Sequence, residues 1–514
     1  MQKNSLRIDV LGTSFTIVAE ADRLYLDGLL KRYKLKIEEI QKGAGVDDPL
    51  RVAILTGFAL YDEIERMRSG GPAGHGSYEY MRIGERLDDL SSQIDAVIGD
   101  DPFSSQPREK SNRVYLLKPE CKHYDWGSAE WIPKLLGIDN AESQPWAEMW
   151  MGTHPGGPSQ AICPGGLVPL KNLSGDIPFL FKLLAAEKPL SIQVHPNLEQ
   201  ASTGFVRENA AGISLDDPRR NYKDPNHKPE ILCALTPFTV MAGFRKRQHI
   251  VELLDAFGCP ALVSLRRELR GELSDEAAYR GFLNNLFGMR QEQKDELLSY
   301  IARHIGEVKI RVPACSKEWE LIETLHTYFP GDPSVIAPLY LNVIELSPGE
   351  AVYIPAGILH SYVRGFGVEL MSPSNNVLRG GLTRKSIDTG ELLTILEPRA
   401  FKPDVLKPVP INETYASYLT PVKEWTLSVI HQADEDDECG DPTERAPKHS
   451  LEHFPEAKDA ILIVTQGSLA VTFFDGMGNL TLERGESVFI PGHVSRDSFT
   501  LKGLFTAYVA SRGL

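Results

Sequence analysis

Gly349-Glu-Ala-Val-Tyr-Ile-Pro355-Ala-Gly357-Ile-Leu-His360 decides how the larger part of this 514-residue chain is read. An apolar run, a proline-glycine turn and a histidine just beyond it predict a strand, a tight turn and the start of a return strand. His360 would then point back into the mouth of a small barrel. A weaker echo, Gly485-x5-Pro491-Gly-His493, stands near the C-terminus, and two copies of a jelly-roll unit would account for it. The second copy has no Gln-x-His or acidic partner upstream, so His493 is read as structural.

Upstream, Pro189-Leu-Ser-Ile-Gln-Val-His195 alternates with the period of a strand. Leu190, Ile192 and Val194 should face one way, and Ser191, Gln193 and His195 the other. With His227-Lys-Pro-Glu230 this gives two imidazoles, a carboxylate and an amide oxygen: Gln193, His195, Glu230 and His360. Structural zinc sites are usually closed by thiolates, whereas a set of two nitrogens and two oxygens leaves room for water or substrate beside a Lewis-acidic ion. Each motif alone is weak, since a lone strand histidine is more often a hydrogen-bonded core residue than a ligand. Their co-occurrence among apolar strands carries the reading.

The length calls for several domains. A hydrophobic share of 42% and a charged share of 24% are ordinary for a globular protein. A formal charge of -15 with no basic patch argues against nucleic-acid binding. The six cysteines form no C-x2-C pair or compact framework and read as reduced thiols. No apolar stretch reaches the ~18 residues a membrane span needs, and the expected location is the cytoplasm.

Residues 1–100 differ in kind from the rest. Leu6–Leu11 and Phe15–Val18 predict a hairpin, followed by helices over Ala21–Gln41 and Pro49–Arg68 and the breaker-rich stretch Gly70–Ser77. Tyr80, Ile83, Leu87, Leu90, Ile94 and Val97 then recur at spacings of 3, 4, 3, 4 and 3, a short coiled-coil seam. Residues 101–112 read as a linker. The catalytic jelly-roll is expected over 113–247 and 307–400, interrupted by a helical insertion at 248–306, and the second one over 401–514.

Residues from about 113 onward resemble the type I mannose-6-phosphate isomerases. The resemblance rests on Tyr124-Asp-Trp-Gly127, Trp146-Ala-Glu-Met-Trp-Met-Gly-Thr-His-Pro155, Leu190–Asn197, Asn226-His-Lys-Pro-Glu230 and Asn376-Val-Leu-Arg-Gly-Gly-Leu-Thr383. It implies a mainly β double-cupin fold and one zinc ion per chain on Gln193, His195, Glu230 and His360. It further implies an active-site arginine at Arg379 and phosphate contacts at Lys182, Ser191 and Lys385. Two positions depart from the pattern: Ser361 follows His360 where alanine is frequent, and Arg364 replaces the motif's final asparagine. Residues 1–100 resemble the ZapA family of division proteins through Leu6–Phe15 and Arg51–Glu63. That likeness implies a small α+β dimerisation domain with a C-terminal coiled-coil helix, and the tubulin-like division GTPase FtsZ as partner.

Interconverting mannose 6-phosphate and fructose 6-phosphate moves a proton between C1 and C2 through an enediol. The charge that develops on the two oxygens would be stabilised by zinc and Arg379. A neighbouring cation would favour a neutral amine on Lys228, which makes it one candidate base. Glu369 is the other, and both stay open. The rival reading is a catalytically silent sugar-phosphate sensor on a division scaffold, against which stands the retention of every ligand together with Arg379, Lys228 and Glu369.

Overall fold

The computed structural model describes residues 4–10, 13–19, 28, 30–31, 33–37, 56, 113–432, 458–474, 479–495 and 498–513. The chain divides into two compact units, Met1–Glu109 and Lys110–Leu514. In the first, strands Asn4–Val10 and Thr13–Ala19 pair antiparallel from Asn4↔Ala19 to Val10↔Thr13, the hairpin expected there. The described residues between 28 and 37 are helical, within the first predicted helix. The coiled-coil seam and the linker lie outside the described residues, as does all but Thr56 of the second helix.

The second unit is mainly β, with two antiparallel sheets and a block of helices. One sheet runs, neighbour by neighbour, through Val405–Leu406, Ala351–Ile354, Glu230–Ala234, His360–Met371, Leu180–Ala186, Glu148–Gly152 and Glu120–Lys122. Its hub is the twelve-residue strand His360–Met371. The second half of this strand pairs with Glu230–Ala234 and Leu180–Ala186. Its first half pairs with Phe238–Phe244 and with Gln193, so one strand serves two layers. Alternation sorts the faces: Leu184 and Ala186 join Leu232, Val240 and Ile354 inside this layer pair, while Phe181 and Leu183 pack with Trp425, Ile461 and Phe489 against the other sheet.

The other sheet repeats this order with Tyr115–Lys118, Ser487–Ile490, Ala460–Phe473, Phe505–Arg512, Trp425–Gln432 and Tyr415–Tyr418. The motif echo is matched in the backbone. Gly349 (φ 84°) and Gly485 (φ 89°) both need the left-handed region. The Gly349 N–H donates to Ala234 O and Ala234 N–H to Glu350 O, just as Gly485 donates to Val464 O and Val464 to Glu486 O.

The outermost strands are exchanged between the halves. Tyr115–Lys118, at the start of the unit, pairs with Ser487–Ile490, and Val405–Leu406 pairs with Ala351–Ile354. The expected boundaries at 113 and 401 therefore do not separate the halves cleanly, because each lends the other an edge strand. The helical block also runs longer than the expected 248–306. It comprises Arg247–Phe257, Val263–Arg270, Asp275–Phe287, Gln291–Arg311, Ser316–Tyr328 and Ala337–Tyr340. Pro313 and Pro333 look like terminators, yet each opens a short 3-10 turn that leads into the next helix.

This block fixes the site from behind. Its core holds Trp319, Phe282 and Leu254 together with Ile192, Val194, Leu359 and Leu378. These last four are chain neighbours of Gln193, His195, His360 and Arg379. Each such buried aliphatic side chain contributes about 1.5–3 kcal/mol, which holds the backs of the site strands while their fronts stay available.

Candidate active site

His195, Glu230 and His360 form a buried group whose ligand atoms lie within 4.8 Å of one another. His360 Nε2 is 2.9 Å from Glu230 Oε1, and His195 Nε2 is 3.5 Å from Oε2. Each ring is held by its other nitrogen: His195 Nδ1 bonds to the Asn376 carbonyl (2.8 Å) and His360 Nδ1 to the Ile358 carbonyl (2.9 Å). A carbonyl only accepts, so both Nδ1 atoms carry a proton, and both Nε2 atoms face the carboxylate. His360 Nε2 has no hydrogen-bond partner despite full burial. Two imidazole nitrogens and a carboxylate converging in one buried space, with the Lys228 ammonium only at their edge, are a donor set that fits a metal ion.

Register places Gln193 beside this group. It is the direct cross-strand partner of His360 on one side and of Arg379 on the other, which puts all three on one face. Electrostatics agrees with a ligand role. Burial first, then Lys228, pushes His195 down to about 4, keeping the imidazole neutral. Burial alone would raise Glu230, but the positive charge of Lys228 beside it holds it well below the usual carboxylate range.

Lys228 stands at the edge of this group, with Nζ 2.9 Å from Glu230 Oε2 and 3.3 Å from His195 Nε2. Glu369 lies deeper. Its Oε2 is 2.8 Å from Lys182 Nζ, and burial raises its pKa in spite of that lysine. Lys182 is also 3.3 Å from Glu148 Oε1 and lies over the Trp150 ring. Two buried carboxylates therefore compete with any phosphate for its ammonium. Arg379 is different. It is half-buried, burial alone lowers its pKa, and no ion pair satisfies it among the described residues. Ser191 is half-buried two residues before Gln193, and Lys385 is exposed in the turn after Arg379. His227 turns away from the group and pairs with Glu424 (2.8 Å).

Several site residues escaped the sequence reading. The Tyr362 hydroxyl donates to Glu230 Oε1 (2.9 Å). Asn376 ties the loop bearing Lys228 to the strand bearing Arg379: its Oδ1 accepts from Lys223 N (2.7 Å) and its Nδ2 donates to the carbonyls of Asp224 and Asn226 (2.8 Å each). Glu148 accepts from Trp150 Nε1 (2.9 Å), and His154 packs edge-on against that ring. Trp150, His154 and Asn376 lay within quoted motifs, but nothing in the chain showed what they would touch.

The same register in the second half locates the counterparts. Glu230 pairs with Ile354 as Ala460 pairs with Ile490. Leu232 pairs with Glu369 as Leu462 pairs with Val509. Glu369 faces Lys182 as Val509 faces Ser428. Ala460, Val509 and Ser428 thus stand where the first half has Glu230, Glu369 and Lys182, and the acidic ligand position offers no donor atom there.

Comparison with known proteins agrees with this geometry. The profile of the family "Phosphomannose isomerase type I, catalytic domain" matches residues 114–165 and 166–247, and that of "Cell division protein ZapA" matches residues 6–94. The mannose-6-phosphate isomerase of Shigella flexneri is 34% identical over 402 residues, covering 74% of this chain and 95% of that protein. The human one is 31% identical over 428 residues, covering 74% and 94%. A zinc-bound mannose 6-phosphate isomerase superposes with a TM-score of 0.66 at 32% identity, covering 78% of this chain and 100% of that one. The Salmonella typhimurium enzyme bound to fructose 6-phosphate and zinc gives 0.65 with the same identity and coverage. A buried His-Glu-His group, set in a sheet scaffold shared with zinc-bound relatives that match three quarters of the chain, makes this protein an enzyme of the type I mannose-6-phosphate isomerase family.

Proposed function

We propose that the chain interconverts mannose 6-phosphate and fructose 6-phosphate with one zinc ion held by Gln193, His195, Glu230 and His360 in a double-cupin scaffold. The observation that carries this reading is the convergence of His195, His360 and Glu230 in one buried group, with each imidazole turned toward the carboxylate by the bond its Nδ1 makes to a backbone carbonyl. When bound, zinc supplies Lewis acidity to sugar oxygens. Arg379 shares the Gln193 and His360 face and has no carboxylate partner among the described residues, so its guanidinium is available to the charge that grows on O1 and O2 as the enediol forms. Lys228 moves the proton between C1 and C2. Its Nζ stands directly at the ligand atoms, 3.3 Å from His195 Nε2, whereas Glu369 pairs with Lys182. Lys182 holds Glu369 and Glu148 in place, and phosphate recognition falls to Ser191 and Lys385 at the more open end. A coupled assay for fructose 6-phosphate formation on the purified, zinc-loaded protein tests this, and absence of turnover with zinc bound would refute it.

For residues 1–100 the ZapA match supports dimerisation of the chain and docking on FtsZ. Sedimentation of the full-length protein, alone and with FtsZ, tests both parts. A monomer that does not co-sediment with FtsZ would refute them.

A further inference from the structure

Tyr362 has no part in the proposed chemistry, yet it touches the acidic member of the ligand group. It lies two residues after His360 on the same strand and is 1% exposed. Its hydroxyl donates to Glu230 Oε1 over 2.9 Å, and His360 Nε2 is 2.9 Å from the same oxygen. The ring is wedged, edge-on to Phe238 at 5.9 Å and tilted against His360 at 6.0 Å, so the hydroxyl cannot swing away without moving both.

A phenol has one proton to give. Two buried carboxylates, Glu230 and Glu369, lie near enough to Tyr362 for both to act on it. Lys182 settles the competition, because its ammonium sits 2.8 Å from Glu369 and meets that carboxylate's demand for a positive partner. The phenol proton is left for Glu230. Occupying a lone pair of Oε1 fixes the carboxylate's rotation about its terminal bond, which keeps Oε2 turned toward His195 and Lys228. Without that bond the carboxylate is free to turn, and the ligand atoms are no longer held in one arrangement before an ion arrives.

We propose that the Tyr362 hydroxyl is a positioning group for the metal centre, setting the orientation of Glu230 and through it the affinity for zinc. The inference rests on the metal reading above. Outer hydrogen bonds to metal ligands are typically worth ~10–100-fold in affinity.

The test is Tyr362→Phe, which keeps the ring and removes one atom. Apoprotein of both forms is titrated with zinc against a chromophoric chelator, and reactivation by added zinc is followed in parallel. The expected result is a ~10–100-fold weaker zinc affinity, with the zinc needed for half-reactivation raised by the same factor. Affinity within twofold of the parent protein would overturn the proposal. So would a variant whose apo form fails to fold by circular dichroism, since that would assign the hydroxyl to the fold. A parent protein that takes up no zinc would instead overturn the metal reading itself, and this inference with it.

Discussion

Replacing Arg379 by alanine should separate stability from turnover. A guanidinium that burial destabilises, and that no carboxylate compensates among the described residues, is a cost to the folded state. Its removal should leave the melting temperature unchanged or raise it, the reverse of what cutting a buried ion pair such as Lys182–Glu369 would do. Zinc should stay, because Arg379 contributes register but no ligand atom. Turnover should fall by at least ~100-fold, the usual consequence of losing one donor from a developing oxyanion and equivalent to about 2.7 kcal/mol of transition-state stabilisation. Arg379→Lys should recover only part of this, since a point charge does not reproduce the planar fork. The assay is coupled isomerase kinetics on protein whose zinc content and thermal melt are measured in the same preparation. Turnover within about threefold of the parent at full zinc would refute the role assigned here, and so would loss of zinc alongside activity.

Glu230→Gln and His360→Ala should each lose metal and activity together, as read by elemental analysis and turnover; activity that survives without bound metal would contradict the ligand assignment. In metal-free protein, burial and Lys228 hold His195 down at about 4, below its ordinary 6.5, so the folded state takes up this proton later than the unfolded chain. Its contribution to stability is therefore complete above pH ~6.5 and is lost as pH falls from there toward ~4, at no more than about 1.4 kcal/mol per pH unit. Urea midpoints across that range should fall more steeply for the parent apoprotein than for His195→Gln, and equal slopes would show that His195 does not titrate in this way. Truncation to residue 111 should preserve isomerase activity. Truncation to residue 120 should lower the melting temperature by removing Tyr115–Lys118 from the edge of Ser487–Ile490, and equal melting of the two would argue against the exchanged strand.

The metal group was legible in the chain because its information is local. Alternation in Leu190–His195, a turn before His360 and a short His-Lys-Pro-Glu phrase place ligand types on faces without knowledge of the rest. What the chain withheld depends on distant register. The Tyr362–Glu230 bond spans 132 positions, and the Asn376 carbonyl reaches His195 across 181. For Lys182 the family resemblance implied a phosphate contact, and its strand alone showed no partner. Antiparallel pairing with Glu148–Gly152 and His360–Met371 supplied two carboxylates that no local pattern announces. The exchange of Tyr115–Lys118 and Val405–Leu406 was invisible for the same reason, since four-residue and two-residue strands carry almost no periodicity. The echo at Gly485 was read correctly as a repeat, but only register showed that Ala460 occupies the acidic position.

The most direct test of the account is metal analysis and isomerase activity on one preparation of the full-length protein, before and after chelation. The account predicts one zinc per chain, conversion of mannose 6-phosphate to fructose 6-phosphate, loss of both on chelation and recovery on adding back zinc. Full turnover by protein stripped of metal, or a zinc-loaded protein that leaves mannose 6-phosphate unchanged, would contradict it.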